Sequence, residues 1–194
     1  MYPILIGPPG SGKGTQAELL ANRLHVPHIS GGDLLRATAV QAGEQAAVIR
    51  AKLDNGEIIT DSFVMALIES RLSQPDCRDG AVLDGCVRTS EQAVALDRII
   101  SDRKGVISVI VLHLSDQVAA ARLAARFSAV AAGQGQRSDD AGAVIPKRQL
   151  LYKSITEPVI DYYRTRSPVI DIDGDQPILA VHDQIMRGLG LERV

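Results

Sequence analysis

The chain opens on an apolar run, Tyr2 to Ile6, closed by a Gly/Pro cluster, the pattern of a short buried strand. Lys13 to Leu24 follows with helical spacing that puts Ala17, Leu20 and Leu24 on one face. Further buried strands are predicted at Ala81–Leu83, ended by Asp84-Gly85, at Val106–Leu114, and at Pro168–Ile172, ended by Asp173-Gly174. His28-Ile29 adds a short fifth. Between them, helical patterns cover Asp33–Gln41, Asp61–Leu72, Ser90–Ser101, Ser115–Ala132 and Pro146–Arg164. Strands that alternate with helices and carry no hairpin signals need crossover connections. The predicted fold is therefore α/β, a parallel five-stranded sheet flanked by helices. Ligands of such sheets bind at the carboxyl ends of the strands, where the Gly and Asp punctuation falls.

Composition narrows the function. The chain has 194 residues, enough for one domain with a sizeable core, and 45% of them are hydrophobic. Lys and Arg number 21 against 23 Asp and Glu, and the near-even balance argues against nucleic-acid and membrane-surface partners. Aromatics are only 3%, too few for base-stacking platforms. Cys77 and Cys86 are the only cysteines and form no C-x-x-C pair, so neither a disulfide framework nor a zinc site is expected. The N-terminus lacks the basic and long apolar regions of a signal peptide, and no apolar stretch is long enough to span a bilayer. A cytoplasmic protein is expected. Nothing demands a second copy, so a monomer is expected too.

Gly7-Pro8-Pro9-Gly10-Ser11-Gly12-Lys13 joins the first strand to the first helix and fits G-x-x-x-x-G-K. Glycines let successive N–H groups turn inward around an anion, and the helix N-terminus adds its own N–H groups and positive dipole end. Lys13 supplies a point charge for phosphates. The next residue is Gly14 where a Ser or Thr is usual, leaving Thr15 as the nearest hydroxyl.

The run from Gly7 through Gly14-Thr15-Gln16 resembles the opening of the adenylate kinases and their nucleoside-monophosphate kinase relatives, in which Gly-Thr after the lysine is normal. The resemblance continues at His28-Ile29-Ser30-Gly31-Gly32-Asp33-Leu34-Leu35-Arg36, at Gly56-Glu57-Ile58-Ile59-Thr60-Asp61, and at Leu83-Asp84-Gly85-Cys86-Val87-Arg88-Thr89 with Gln92. Several motifs in order and at the right spacing are far more specific than any one of them. The resemblance implies a P-loop core (1–29, 60–125 and 137–194), a small helical insertion that binds the nucleoside monophosphate (30–59) and a short lid (126–136) without zinc.

It also implies the chemistry: phosphoryl transfer from Mg2+·ATP to AMP. Such a reaction gathers several negative charges, so catalysis is mostly positioning and neutralisation by Arg, Lys and Mg2+. By this resemblance Gly10, Ser11, Gly12, Lys13, Gly14, Thr15, Arg122, Arg126 and Gln176 bind ATP. AMP falls to Gly31, Arg36, Glu57, Ile58, Ile59, Gly85, Cys86, Val87, Arg88, Gln92, Arg137 and Arg148. Lys13, Arg88, Arg126, Arg137 and Arg148 are the catalytic set, and Asp84 orients Mg2+ through water. A monophosphate loses its second proton near pH 6, so the attacking oxygen needs no general base. His25, His28, His113 and His182 read as surface or packing residues, and Asp33 as a helix N-cap.

Four places depart from the family pattern. Gly31 stands where adenylate kinases have a Thr that touches the acceptor; relatives acting on UMP or CMP also lack it, but the retained Gln92 favours AMP. Cys86-Val87 replaces Phe-Pro. A non-proline cis bond costs about 3 kcal/mol, so a trans bond is expected, with Arg88 aimed differently. The lid is short, with Gly133 and Gly135 for mobility, and Ala141-Gly142-Ala143 with Pro146 replaces an acidic helical run. Together these leave two alternatives beside AMP kinase activity: a UMP/CMP acceptor, or a nucleotide-binding relative of low activity.

Overall fold

The computed structural model describes residues 1–131 and 144–192, with the side chains of 126–131, 144 and 145 left out. Five parallel strands form one sheet: β1 (Tyr2–Ile6), β2 (His28–Ser30), β3 (Val82–Asp84), β4 (Ile107–His113) and β5 (Val169–Asp173), in the order β2-β3-β1-β4-β5. The chain moves from β1 out to β2 and back to β3, then crosses to β4 and β5. That reversal around β1 opens a crevice at the carboxyl ends, directly where the glycine-rich loop leaves β1.

The period of two along β1 splits the core into two layers. Ile4 and Ile6 face one side with Leu83, Val109 and Val111, while Leu5 faces the other with Val82, Ile110 and Leu112. On the second side lie α1 (Lys13–Leu24) and α9 (Ile178–Gly188), which meet through Ala17, Leu20, Val181 and Ile185. Leu20 is fully buried there, a contribution of about 1.5–3 kcal/mol. The first side is covered by α4 (Asp61–Leu72), α5 (Ser90–Asp102) and α8 (Glu157–Arg164), through Ile68, Leu72, Leu96, Ile100, Val159 and Tyr163. The helix α6 (Asp116–Ala131) follows β4.

The insertion between β2 and α4 contains two helices packed on each other, α2 (Gly31–Ala39) and α3 (Glu44–Asp54). The helix α3 lies outside the predicted set, as does α9. Gly43 caps α3 without a side chain and only Ala46 and Ile49 are buried, so its apolar rhythm is faint; α9 starts behind Pro177, past the last predicted strand. The cap of α2 is Ser30, whose hydroxyl accepts from the Asp33 N–H at 3.2 Å. Asp33 is therefore not the cap: the helix starts two residues earlier, and Asp33 pairs with Arg36 at 2.6 Å. The predicted helix at 146–164 begins at Val144 as α7 (Val144–Leu151), widens into a π-helical stretch over Tyr152–Thr156 and continues as α8. Pro146 stands in the first turn of α7, where its missing N–H costs nothing. Most of the predicted lid, with Gly133, Gly135 and Arg137, and the run 141–143 lie outside the described residues. Among the described residues no peptide bond is cis, so the bond between Cys86 and Val87 is trans.

Candidate active site

The loop after β1 has the backbone its glycines allow. Gly10 has φ 86°, and a Cβ there would lie 2.9 Å from the Ala119 carbonyl oxygen, so the loop can pass close to α6 only without a side chain. Gly12, at φ 87°, caps α1, whose first-turn N–H groups open toward the cleft. The Lys13 ammonium lies across this loop, donating to the carbonyls of Gly7 at 2.7 Å and Pro8 at 2.9 Å and to the Ser11 hydroxyl at 3.4 Å.

The cleft over this loop holds about 890 Å3. Along it stand Gly10, Ser11, Gly12, Lys13, Gly14 and Thr15, then Arg36, Glu57, Ile58, Gly85, Val87 and Arg88 from the insertion side. Arg122, Arg148 and Gln176 close the remaining wall. Gly31, Ile59, Cys86 and Gln92 do not line it. All four are buried: Ile59 joins the core, and Gly31 packs against the backbone of Gly85 and Cys86. Arg137 and the side chain of Arg126 lie outside what the structure describes.

Asp84 ends β3 beside the loop, and a Cβ on Gly14 would lie 3.4 Å from its Oδ2. His28, in the neighbouring strand, brings Nε2 to 3.7 Å from the same oxygen. His28 therefore belongs to the cleft wall rather than to the general surface. Among the described residues no three His, Cys, Asp or Glu side chains cluster as a cation cage. One carboxylate beside a phosphate loop fits Mg2+, which keeps most of its waters and takes other ligands from substrate phosphates.

Other wall residues have no local signature. Gln16 is buried on α1, and its Nε2 donates to the Ile178 carbonyl at 2.8 Å, tying the P-loop helix to the start of α9. Asp173 organises the turn before α9: it accepts from Gln176 Nε2 at 2.8 Å and from the Asp175 N–H at 3.0 Å, and the Gln176 bond holds its carboxyl below the usual range. Tyr152, in the π-helical stretch, also lines the cleft; burial, with the Glu157 charge behind it, pushes its hydroxyl up to about 12. Burial and then the Asp84 charge push the Cys86 thiol up to about 12. Neither group exchanges protons near neutral pH. The described cleft thus offers positive charge and N–H donors, as transfer between phosphates requires.

The adenylate kinase family model matches residues 5–168. The chain belongs to the adenylate kinase family. It is 41% identical over 188 residues to the adenylate kinase of Mesorhizobium japonicum, covering 95% of this chain and 94% of that one. It is similar also to adenylate kinase 1 of Nostoc sp., at 39% identity over 188 residues with 96% and 97% covered. The adenylate kinase of Methanocella arvoryzae is 37% identical over 201 residues, with 92% and 93% covered. Arg36, Arg88, Arg122 and Arg148 line a single cleft although they come from four separate segments. Among the described residues no helix is long and apolar enough to cross a membrane.

Proposed function

We propose that two nucleotides meet end to end in this cleft, ATP on the P-loop and AMP against the insertion. As a member of the adenylate kinase family the chain is an enzyme, and its reaction is reversible phosphoryl transfer from ATP to AMP, giving two ADP. The observation that carries the division of labour is the convergence of Lys13, the loop N–H groups and four arginines on one cavity of about 890 Å3.

On this reading the N–H groups from Gly10 to Thr15 hold the ATP phosphates. Lys13 exchanges its loop carbonyls for phosphate oxygens. Arg122 covers the ATP base, with Gln176 and the start of α9 at its edge. Arg36 and Arg88 clamp the AMP phosphate, and Glu57 and Ile58 lie beneath the acceptor base. Arg148, joined by Arg126 and Arg137 from the lid side, neutralises the group in transit. Asp84 is the carboxylate that would hold Mg2+ through its water shell. Mg2+ would draw charge off the transferring phosphate. Residues 30–59 act as the AMP-binding segment and 126–136 as a short lid that excludes water during transfer. We read the protein as cytoplasmic: both cysteines are free thiols, as a reducing compartment keeps them.

The test is a coupled-enzyme assay of ADP formation from Mg2+·ATP with AMP, UMP and CMP offered in turn. AMP is the preferred acceptor. Equal or better use of UMP or CMP would reassign the acceptor, and single-turnover mixing that yields no ADP would leave only nucleotide binding.

A further inference from the structure

We propose that Asp61 is a positioning residue for the acceptor half of the site, acting through the Gln92 amide on the backbone of Arg88; this rests on Arg88 as a phosphate clamp. Asp61 is the first residue of α4, a helix fixed in the core by Val64, Met65 and Ile68. Its Oδ1 accepts from Gln92 Nε2 at 2.7 Å and its Oδ2 from the Thr89 hydroxyl at 3.0 Å. The Thr89 oxygen in turn accepts from the Gln92 N–H at 3.1 Å, capping α5, and Gln92 Oε1 accepts from the Arg88 N–H at 2.7 Å. Gln92 is 2% exposed, so these bonds are made away from water.

The logic of the arrangement lies in donor and acceptor sense. A carboxylate only accepts, and a backbone N–H only donates. Wedged between them, the Gln92 amide has one allowed orientation, with nitrogen to Asp61 and oxygen to Arg88. Turning it over loses both bonds and sets oxygen against oxygen and N–H against N–H. Asp61 therefore fixes the sense of the amide, and the amide pins the backbone from which Arg88 projects into the cleft. Capping α5 needs only Thr89; an acidic group from another helix, reaching both Thr89 and Gln92, is an addition with a different purpose. The ATP phosphates lie on a separate loop, so the effect belongs to one nucleotide.

The experiment compares wild type, Asp61→Ala and Asp61→Asn in steady-state assays, with AMP varied at saturating ATP and the reverse. Asp61→Ala removes the acceptor that holds Gln92 Nε2 and raises the KM for AMP ~10–100-fold, the scale of a lost hydrogen bond to a charged group, while the KM for ATP stays unchanged. Asp61→Asn keeps an acceptor oxygen for the Gln92 amide, with its NH2 turned to the Thr89 oxygen, and retains most of the AMP affinity. If Asp61→Ala does not fold, Asp61→Ser, which suits a helix start, gives the same split. An unmoved KM for AMP in the folded Ala or Ser variant, an equal rise for both nucleotides, or an Asn variant as impaired as Ala overturns the proposal. A wild type that forms no ADP defeats the phosphotransferase reading itself and this inference with it. An active wild type with an insensitive Asp61→Ala defeats the inference alone.

Discussion

Replacing Gly31 tests how tightly the acceptor side is built. Gly31 opens α2, and a Cβ on it would lie 2.6 Å from the Gly85 carbonyl oxygen and 3.2 Å from the Gly85 carbonyl carbon and the Cys86 Cα. All three are backbone atoms, which cannot swing aside as a side chain can. Conformation is no obstacle, because Gly31 is not among the residues with positive φ. Helix propensity alone would favour Ala by about 1 kcal/mol. The clash opposes this with about 1–3 kcal/mol of overpacking, so G31A loses stability by a small margin. G31T adds two more heavy atoms at the same place and loses more. For a chain of 194 residues each kcal/mol lowers Tm by roughly 2–4 °C. The turn forced away is Gly85–Val87, which leads into Arg88, so G31T also raises the KM for AMP while the KM for ATP stays put. Thermal melts and initial-rate assays on purified G31A and G31T measure both effects. A G31T protein that melts at or above the wild-type temperature with unchanged AMP affinity would refute the reasoning. The prediction is pointed because Thr is the residue the family pattern carries there: Gly31 and Cys86-Val87 belong together, and restoring one without the other harms the protein.

Lys13→Met removes the ammonium that the loop carbonyls now hold, and ADP formation falls by at least ~100-fold in the coupled assay while the melting temperature is little changed. Cys77 and Cys86 are both fully buried, and burial pushes both thiols up. An aromatic disulfide reagent at neutral pH therefore finds no reactive thiol in the native protein and two after denaturation. Asp171 is held below the ordinary carboxylate value of 3.8 chiefly by the bond from Arg164, with His113 adding to it. A depressed carboxylate stabilises the fold above its unfolded value and loses that contribution as pH falls through the folded one. Arg164→Ala therefore shows a small loss of Tm at neutral pH that begins to shrink only below about pH 4 and disappears at still lower pH, and a pH series of melts checks it.

The parts of the fold written locally were legible. Tyr2–Ile6 and Lys13–Leu24 were predicted to the residue, because an apolar run, a glycine-rich turn and a helical stripe each announce themselves within a few positions. The five strands and their parallel arrangement followed from alternation with helices. What escaped is written across the chain. Asp61 and Gln92 are 31 residues apart, and no spacing rule links them until α4 and α5 pack together. Gln92 is a base contact by resemblance; the further bonds of its amide to Asp61 and Arg88 show only once the helices pack. His28 looked like any strand-end histidine, and its place in the cleft wall comes from the pairing of β2 with β3 that sets it beside Asp84. Gln16 ties α1 to a carbonyl 162 residues away. The helix α3 was missed because it has almost no apolar stripe; α9, whose Val181, Ile185 and Met186 are buried, lies past the last predicted strand and was not read.

The π-helical stretch between α7 and α8 inserts a surplus residue into the winding. Downstream, Val159, Ile160 and Tyr163 bolt α8 to the core, so the phase of the helix is set from that end. Upstream, everything including Arg148 is turned by about 100° from where an unbroken α-helix would carry it. The bearing of that guanidinium thus depends on a defect of helical count as well as on what it touches. A stabilising edit that smoothed the defect would leave a sounder rod pointing its arginine the wrong way.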